Sequence, residues 1–249
     1  MKKYLTTIIL LYSSTLLLAI DAMEIIRKAD NLMRGKSSYF EMTLTIERPA
    51  WQRTIALKGW SISKDYSLIY ITAPAKEKGQ VFLKRDKEMW NWVPSIERTI
   101  KIPPSMMMQS WLGSDMTNDD ILKESSIVDD YTHTLAAEDK KDNYDCYKIE
   151  MRPKEDAAVV WGKIILWITK DKYLKIRGEY YDEDNLLVNL EKGSEIKKMH
   201  DREIPTVYEI IPQDADKKGQ RTILKIENIK FDLPLEKDFF SLQNIKKVK

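Results

Sequence analysis

Short runs in which apolar and polar residues alternate recur along most of the chain, and this pattern constrains the fold more than any other feature. From Phe40 to Glu47 every second residue is apolar, which is typical of a strand with one buried face. Runs of the same kind follow until about residue 231, each about 8–12 residues after the last and bounded by turn residues. The sequence therefore predicts one mainly β domain of about 11 antiparallel strands, in a barrel or curved sheet.

A sheet of that size predicts an internal cavity. Eight strands close a barrel that side chains can fill, and more strands leave room inside. Empty apolar space loses contacts, so either a lid or a ligand should fill it. The seven tryptophans, most of them in predicted strands, are the aromatic part of that apolar interior.

Residues 1–22 have the pattern of a secretory signal peptide. Two lysines precede a mostly apolar run, and Ala22 is a small residue at the cleavage position, with Ala19 as the second choice. The apolar run is close to the minimum of about 17–18 residues for a membrane span, so a retained membrane helix is the alternative. We predict an exported, periplasmic protein whose single domain spans residues 23–249.

An amphipathic helix is predicted for Glu24–Arg34, ahead of the first strand. Gly35 follows it, as the residue after a helix C-terminus often is. The apolar stripe of this helix consists of Ile25, Ile26, Ala29, Leu32 and Met33.

Residues 103–123 interrupt the strand pattern. Ser105 can cap a short helix that ends at Gly113, and Thr117 with Asp120 has the spacing of a capping box for a second helix. The apolar face of the first helix would consist of Met107, Met108, Trp111 and Leu112. We expect a helical lid over the sheet; the alternative is that the methionines only fill the core.

Motifs of the common catalytic and metal sites are missing. The chain has no G-x-S-x-G elbow, H-E-x-x-H motif or glycine-rich phosphate loop. Asp115, Asp119 and Asp120 lack the spacing of a calcium loop, so helix capping is their favoured role. The 41 basic residues nearly balance the 39 acidic ones, which argues against nucleic acid. We predict a protein that is not an enzyme and holds neither a metal nor a cofactor.

Two segments carry a family resemblance. Residues 89–94 read Met-Trp-Asn-Trp-Val-Pro, and residues 111–117 read Trp-Leu-Gly-Ser-Asp-Met-Thr. With them, the chain resembles the bacterial outer-membrane lipoprotein-sorting proteins, a branch of the LolA/LolB-like superfamily. The methionines at 106–108 and the prolines at 103–104 stand where other members have more polar and basic sequence, which leaves the identity of the lipid open.

The resemblance implies an open antiparallel β-barrel around an apolar cavity, with an N-terminal helix and a central helical lid. It also implies a carrier that binds the acyl chains of a lipoprotein or lipid and shuttles them through the periplasm, with only transient membrane contact. An inner-membrane lipid exporter of the RND/MMPL type is the implied partner. The alternatives are an envelope-stress sensor of the same fold and a ligand-free structural protein.

The candidate ligand-binding residues come from the first two strands, a tryptophan-rich strand and the expected lid. They are Phe40, Met42, Leu44, Ile46, Ile55, Leu57, Trp90, Trp92, Met107, Met108, Trp111 and Leu112.

Overall fold

The computed structural model describes residues 21–122 and 126–248, so the predicted signal peptide, apart from its last two residues, lies outside the described residues. Within them, thirteen strands form one antiparallel sheet, two more than the number expected. The strands are β1 (Ser37–Arg48), β2 (Trp51–Ile62), β3 (Tyr66–Ala73), β4 (Val81–Arg85), β5 (Glu88–Val93), β6 (Arg98–Lys101), β7 (Tyr131–Lys141), β8 (Tyr144–Pro153), β9 (Lys163–Thr169), β10 (Lys175–Tyr181), β11 (Leu187–Met199), β12 (Arg202–Pro212) and β13 (Arg221–Phe231). The helices are α1 (Ala22–Arg34), α2 (Asn118–Leu122) and α3 (Ser126–Asp129). None of the helices described is long and apolar enough to cross a membrane.

The order of the strands leaves the sheet open. It runs β6-β5-β4-β3-β2-β1-β13-β12-β11-β10-β9-β8-β7, so the first and last strands pair at the centre and β6 and β7 are the two edges. The segment between those edges, described over residues 102–122 and 126–130, is called the insert. Its residues Ile102, Met107 and Trp111 pack against apolar residues of β1–β4, so it covers one face of the sheet, called the inner face. The prediction of a mainly β, open antiparallel architecture with few short helices is confirmed.

The N-terminal helix forms as the sequence predicts. Asp21 precedes it and accepts a hydrogen bond from the Met23 N–H at 2.9 Å, which caps the first turn. Gly35 ends it with a φ of 64° and donates to the Asn31 carbonyl at 2.9 Å. The residues that this helix buries against the sheet are Ala22, Ile25, Ile26 and Ala29.

The first predicted helix of the insert is wrong. Two 3₁₀ turns, Pro104–Met106 and Trp111–Gly113, stand in its place, and Leu112 has a φ of 51°, outside helical geometry. The Ser110 hydroxyl donates to the Ser114 carbonyl, and the Ser114 hydroxyl donates to the Trp111 carbonyl at 2.7 Å. Such side-chain bonds to the backbone compete with helix formation.

The second predicted helix of the insert is confirmed. The Thr117 N–H donates to the Asp120 carboxylate at 2.7 Å, and the Asp120 N–H donates to the Thr117 hydroxyl at 3.1 Å. This is a reciprocal capping box, and α2 begins directly after Thr117.

The C-terminal segment, residues 232–248, covers the opposite face of β2–β5, called the outer face. Phe240 and Ile245 are fully buried there against Leu68 and Leu83. This part of the sheet is therefore covered on both sides, by the insert on the inner face and by the C-terminal segment on the outer face.

Gly59 and Phe40 provide a test of the packing at the inner face. They lie opposite each other on β2 and β1, and a Cβ at Gly59 would collide with the Phe40 ring. We expect Gly59→Ala to lower the free energy of unfolding by about 1 kcal/mol or more, because the ring must move. In a Phe40→Ala background the same change should be neutral or stabilising, since glycine weakens a strand. Urea unfolding of the original protein, the two single variants and the double variant measures this coupling. Additive effects of the two substitutions would contradict the packing described.

Candidate functional site

The candidate site is a partly open cavity between the inner face, α1 and the insert. It consists of two adjoining spaces of about 180 Å³ and 110 Å³. The two spaces meet at residues that line both: Asp30, Met33, Met116, Lys175, Glu191 and Ile210. The cavity therefore extends beneath α1 from one half of the sheet to the other.

The larger space lies between the central strands and the insert, and its walls are mostly apolar. Four of the sequence-predicted residues line it: Phe40, Met42, Leu57 and Trp111. The same wall continues onto β13, where Ile229 and Ile226 pair with Phe40 and Met42 and Leu224 also lines the space. The Trp111 ring is fixed by the Phe82 ring, with the centroids 5.4 Å apart.

Five further predicted residues pack beside this space without lining it. Leu44, Ile46 and Ile55 are completely buried, and Met107 is 4% exposed. Leu112 packs against the same apolar cluster. These residues belong to the same apolar cluster as Leu57 and Trp111, which line the space, so they support its wall.

The structure does not bring the other three predicted residues to the cavity. Trp90 and Trp92 lie on the outer face beneath the C-terminal segment. Met89, their neighbour, packs on the inner face, so strand alternation directs both tryptophans outward. The Met108 side chain is 71% exposed on the insert.

Sequence reasoning missed the smaller space. It lies between α1, β9, β10 and the start of β7, with Ile26, Tyr131 and Trp161 among its lining residues. The Trp161 indole N–H donates to the Asp120 carboxylate at 2.8 Å, and the Tyr131 hydroxyl donates to the Trp161 carbonyl at 3.1 Å. Burial raises the pKa of Asp120. The apolar stripe of α1 was the one sequence signal for this space.

Charged residues stand where the two spaces meet. The Lys175 ammonium lies 2.7 Å from the Glu191 carboxylate, which also accepts a hydrogen bond from the Tyr180 hydroxyl at 3.0 Å. On α1, Arg34 pairs with Asp30 at 2.8 Å. No local sequence pattern indicates the first pair, because Lys175 and Glu191 are brought together by the pairing of β10 with β11.

Asp115 fixes the insert to the centre of the sheet rather than capping a helix. Its carboxylate receives two hydrogen bonds of 3.0 Å from Arg48, at the end of β1, and one of 2.6 Å from Thr222 on β13. The Asp115 carbonyl accepts a further bond from the Asn189 side chain at 3.0 Å. The expected capping role is therefore wrong for Asp115 and right for Asp120.

Two side chains that could act in catalysis, Cys146 and His133, are respectively buried and close to a backbone carbonyl. Cys146 is completely buried in β8, and this burial raises the pKa of its thiol to about 11. The His133 imidazole lies 2.7 Å from the Ile127 carbonyl. Among the residues described, no three His, Cys, Asp or Glu side chains come together in a way that could hold a metal ion.

Adjacent methionines in the insert provide a matched pair for a stability test. Met107 is 4% exposed and Met108 is 71% exposed. We expect Met107→Asp to cost about 3 kcal/mol or more, because it buries an unpaired charge. Met108→Asp should stay within about 0.5 kcal/mol of the original protein. Thermal and urea unfolding measure both, and equal losses would contradict the described path of the insert.

Comparison with known proteins relates the chain to one family and one fold. A family model with the description "uncharacterized protein" matches residues 63–247. The solved structure of a DUF1329 family protein from Desulfovibrio piger is 26% identical, with a TM-score of 0.81, over 90% of this chain and 97% of that chain. No curated protein matches the chain significantly.

Two further solved structures are similar in fold. A LolA superfamily protein from Nitrosomonas europaea is 22% identical, with a TM-score of 0.78, over 90% of this chain and 99% of that chain. A protein from Vibrio parahaemolyticus, described as a candidate outer membrane lipoprotein-sorting protein domain, is 18% identical, with a TM-score of 0.79, over 90% of this chain and 98% of that chain. Each of the three structures matches 90% of this chain.

Proposed function

The chain belongs to the family of uncharacterized proteins whose model matches residues 63–247, with the fold of LolA superfamily proteins, and from this we propose that it is a periplasmic carrier of acyl chains. The ligand is a lipoprotein or a lipid whose chains enter the cavity beneath α1. The protein binds and releases its ligand without catalysing a reaction and without a cofactor.

The observation that carries this proposal is the apolar cavity between α1, the insert and the inner face. Its walls are mainly Ile, Leu, Met and aromatic side chains. Unfilled space of this kind forfeits dispersion contacts, so a protein that keeps it open is less stable than one that fills it. A ligand that restores those contacts explains why the cavity is there.

The cavity is too small for a long acyl chain, so binding such a chain requires a conformational change. Its larger space, about 180 Å³, is close to the engineered cavity of about 150 Å³ that accepts benzene. A long acyl chain therefore needs α1 or the insert to move away from the sheet. Burying about 16 carbons would gain about 12 kcal/mol before ordering costs, and the cost of opening offsets part of that gain. Partial offset keeps the binding reversible, which a carrier requires.

Two matched substitutions test whether the cavity binds the ligand. Leu224 lines the larger space, whereas Leu186 is 63% exposed in the turn between β10 and β11. We expect a fluorescent acyl probe to bind saturably, and Leu224→Trp to weaken it about ten-fold or more by filling the space that about two CH₂ groups would occupy. Leu186→Trp should leave the affinity unchanged.

The competing outcomes of that experiment are distinct. Equal affinities in both variants would place the binding site elsewhere. A mature protein that binds no probe, and whose organic extract contains no lipid by mass spectrometry, would leave only the ligand-free structural function. Co-purification with an inner-membrane signalling protein, instead of the proposed lipid exporter, would favour a sensor.

Export is part of the same proposal, and α1 limits where the signal peptide ends. Asp21 caps α1, and Ala22 is 7% exposed. Cleavage after Ala22 removes both residues, at a cost of about 1 kcal/mol for the cap, whereas cleavage after Ala19 retains both. We expect N-terminal sequencing of the periplasmic fraction to give a first residue between positions 20 and 23. Recovery of Met1 would instead support a retained membrane helix.

A further inference from the structure

Three turns lie together at one end of the sheet, because β1 to β6 are successive antiparallel neighbours. They join β1 to β2, β3 to β4, and β5 to β6. The Arg53 guanidinium on β2 lies 3.2 Å from the Glu77 carboxylate on the second turn. A Cβ at Gly79 on the second turn would lie 3.3 Å from the Pro94 ring on the third. The three turns therefore form one continuous surface, called the turn surface, which consists of residues 49–53, 74–80 and 94–98.

Two large apolar side chains of the turn surface are exposed. Trp51 is 48% exposed at the tip of the first hairpin, and Ile96 is 55% exposed on the third turn. The Arg48 guanidinium lies 5.9 Å from the centre of the Trp51 ring. Single exposed apolar residues are common, but two large ones on adjoining turns indicate a contact surface.

The other exposed charges of the turn surface are mostly positive. Lys76, Lys78 and Arg98 are exposed, and none of them forms an ion pair with a described residue. Of the two acidic residues on this surface, Glu77 is buried against Arg53, so only Glu97 is exposed. An anionic partner therefore complements the turn surface.

An exposed apolar residue elsewhere has the opposite surroundings. Leu186 is 63% exposed on the turn between β10 and β11. The same turn carries three carboxylates, Asp182, Glu183 and Asp184. An anionic surface would repel this turn, so Leu186 serves as a matched control for Trp51 and Ile96.

We propose that the turn surface docks on a lipid bilayer that contains anionic phospholipid. Trp51 and Ile96 enter the interfacial layer, where tryptophan is favoured because its ring is apolar and its N–H is polar. Lys76, Lys78 and Arg98 bind lipid phosphates. The inference rests on the proposed carrier function, because a carrier must meet a membrane to load or deliver its ligand, and it adds the membrane and the surface that meets it.

The turn surface is bonded directly to the insert that covers the cavity. The Arg53 guanidinium donates to the Leu112 carbonyl, one residue after Trp111. Trp111 lines the larger space of the cavity. Docking thus brings the bilayer close to the part of the insert that must move when an acyl chain enters or leaves.

Sedimentation of the mature protein with vesicles tests the proposal. One set of vesicles contains phosphatidylcholine alone, and the other contains phosphatidylcholine mixed with phosphatidylglycerol. We expect binding to the mixed vesicles and at least about ten-fold weaker binding to the neutral ones. Replacing Lys76, Lys78 and Arg98 together with Gln should weaken binding to the mixed vesicles about a hundred-fold, the effect of three cations near an anionic surface.

The apolar contribution is tested with the same vesicles. Trp51→Ser combined with Ile96→Ser should weaken binding to the mixed vesicles about ten-fold or more, because less apolar area enters the bilayer. Leu186→Ser should leave the binding unchanged.

Two further controls separate docking from net charge and from the cavity. Replacing three exposed lysines on other strands with Gln, Lys140, Lys192 and Lys230, changes the net charge equally and should alter the binding by less than about two-fold. Leu224→Trp, which fills the cavity, should dock normally, because sedimentation reports the position of the protein and not the uptake of a lipid.

The outcomes decide between docking and its absence. No sedimentation, equal binding to both kinds of vesicle, equal losses in the two triple variants, or unchanged binding after the Trp51 and Ile96 substitutions would overturn the docking surface, while the acyl-probe experiment still decides the carrier function. Failure of the acyl probe together with the expected sedimentation would overturn the carrier and support the docking surface. If the variant with both apolar substitutions does not fold, the comparison of the two triple variants decides.

Discussion

The pairing of β1 with β13 determines where every other part of the molecule can lie. It extends from Ser38 opposite Phe231 to Glu47 opposite Arg221. With the first and last strands joined at the centre, the two strands in the middle of the sequence become the edges of the sheet. The insert must then cross the inner face to connect them. The helix before β1 and the segment after β13 both start from the centre, and they cover the inner and the outer face respectively.

Asp115 ties the insert to that central pairing. The carboxylate of Asp115 bonds to Arg48 and to Thr222, one on each of the two central strands, and its side chain is 6% exposed. Breaking a buried ion pair of this kind leaves an uncompensated charge, which costs more than the pair contributes. The middle of the insert is thus fixed by polar bonds, whereas Met107 and Trp111, nearer its start, contact the sheet through apolar packing. Any movement that enlarges the cavity is easier for the apolar contacts than for this anchor.

Local features were predictable from the sequence, and features that need strand register were not. The alternation from Phe40, the helix that ends at Gly35 and the capping box at Thr117 all depend on neighbours within a few residues, and the structure has them. Trp90 points away from the cavity and packs against the C-terminal segment, which lies far along the chain. Its surroundings therefore could not be predicted from its sequence neighbours. Ser38, Ser61, Ser67 and Lys84 are likewise brought side by side by three separate strand pairings, so they share no sequence motif.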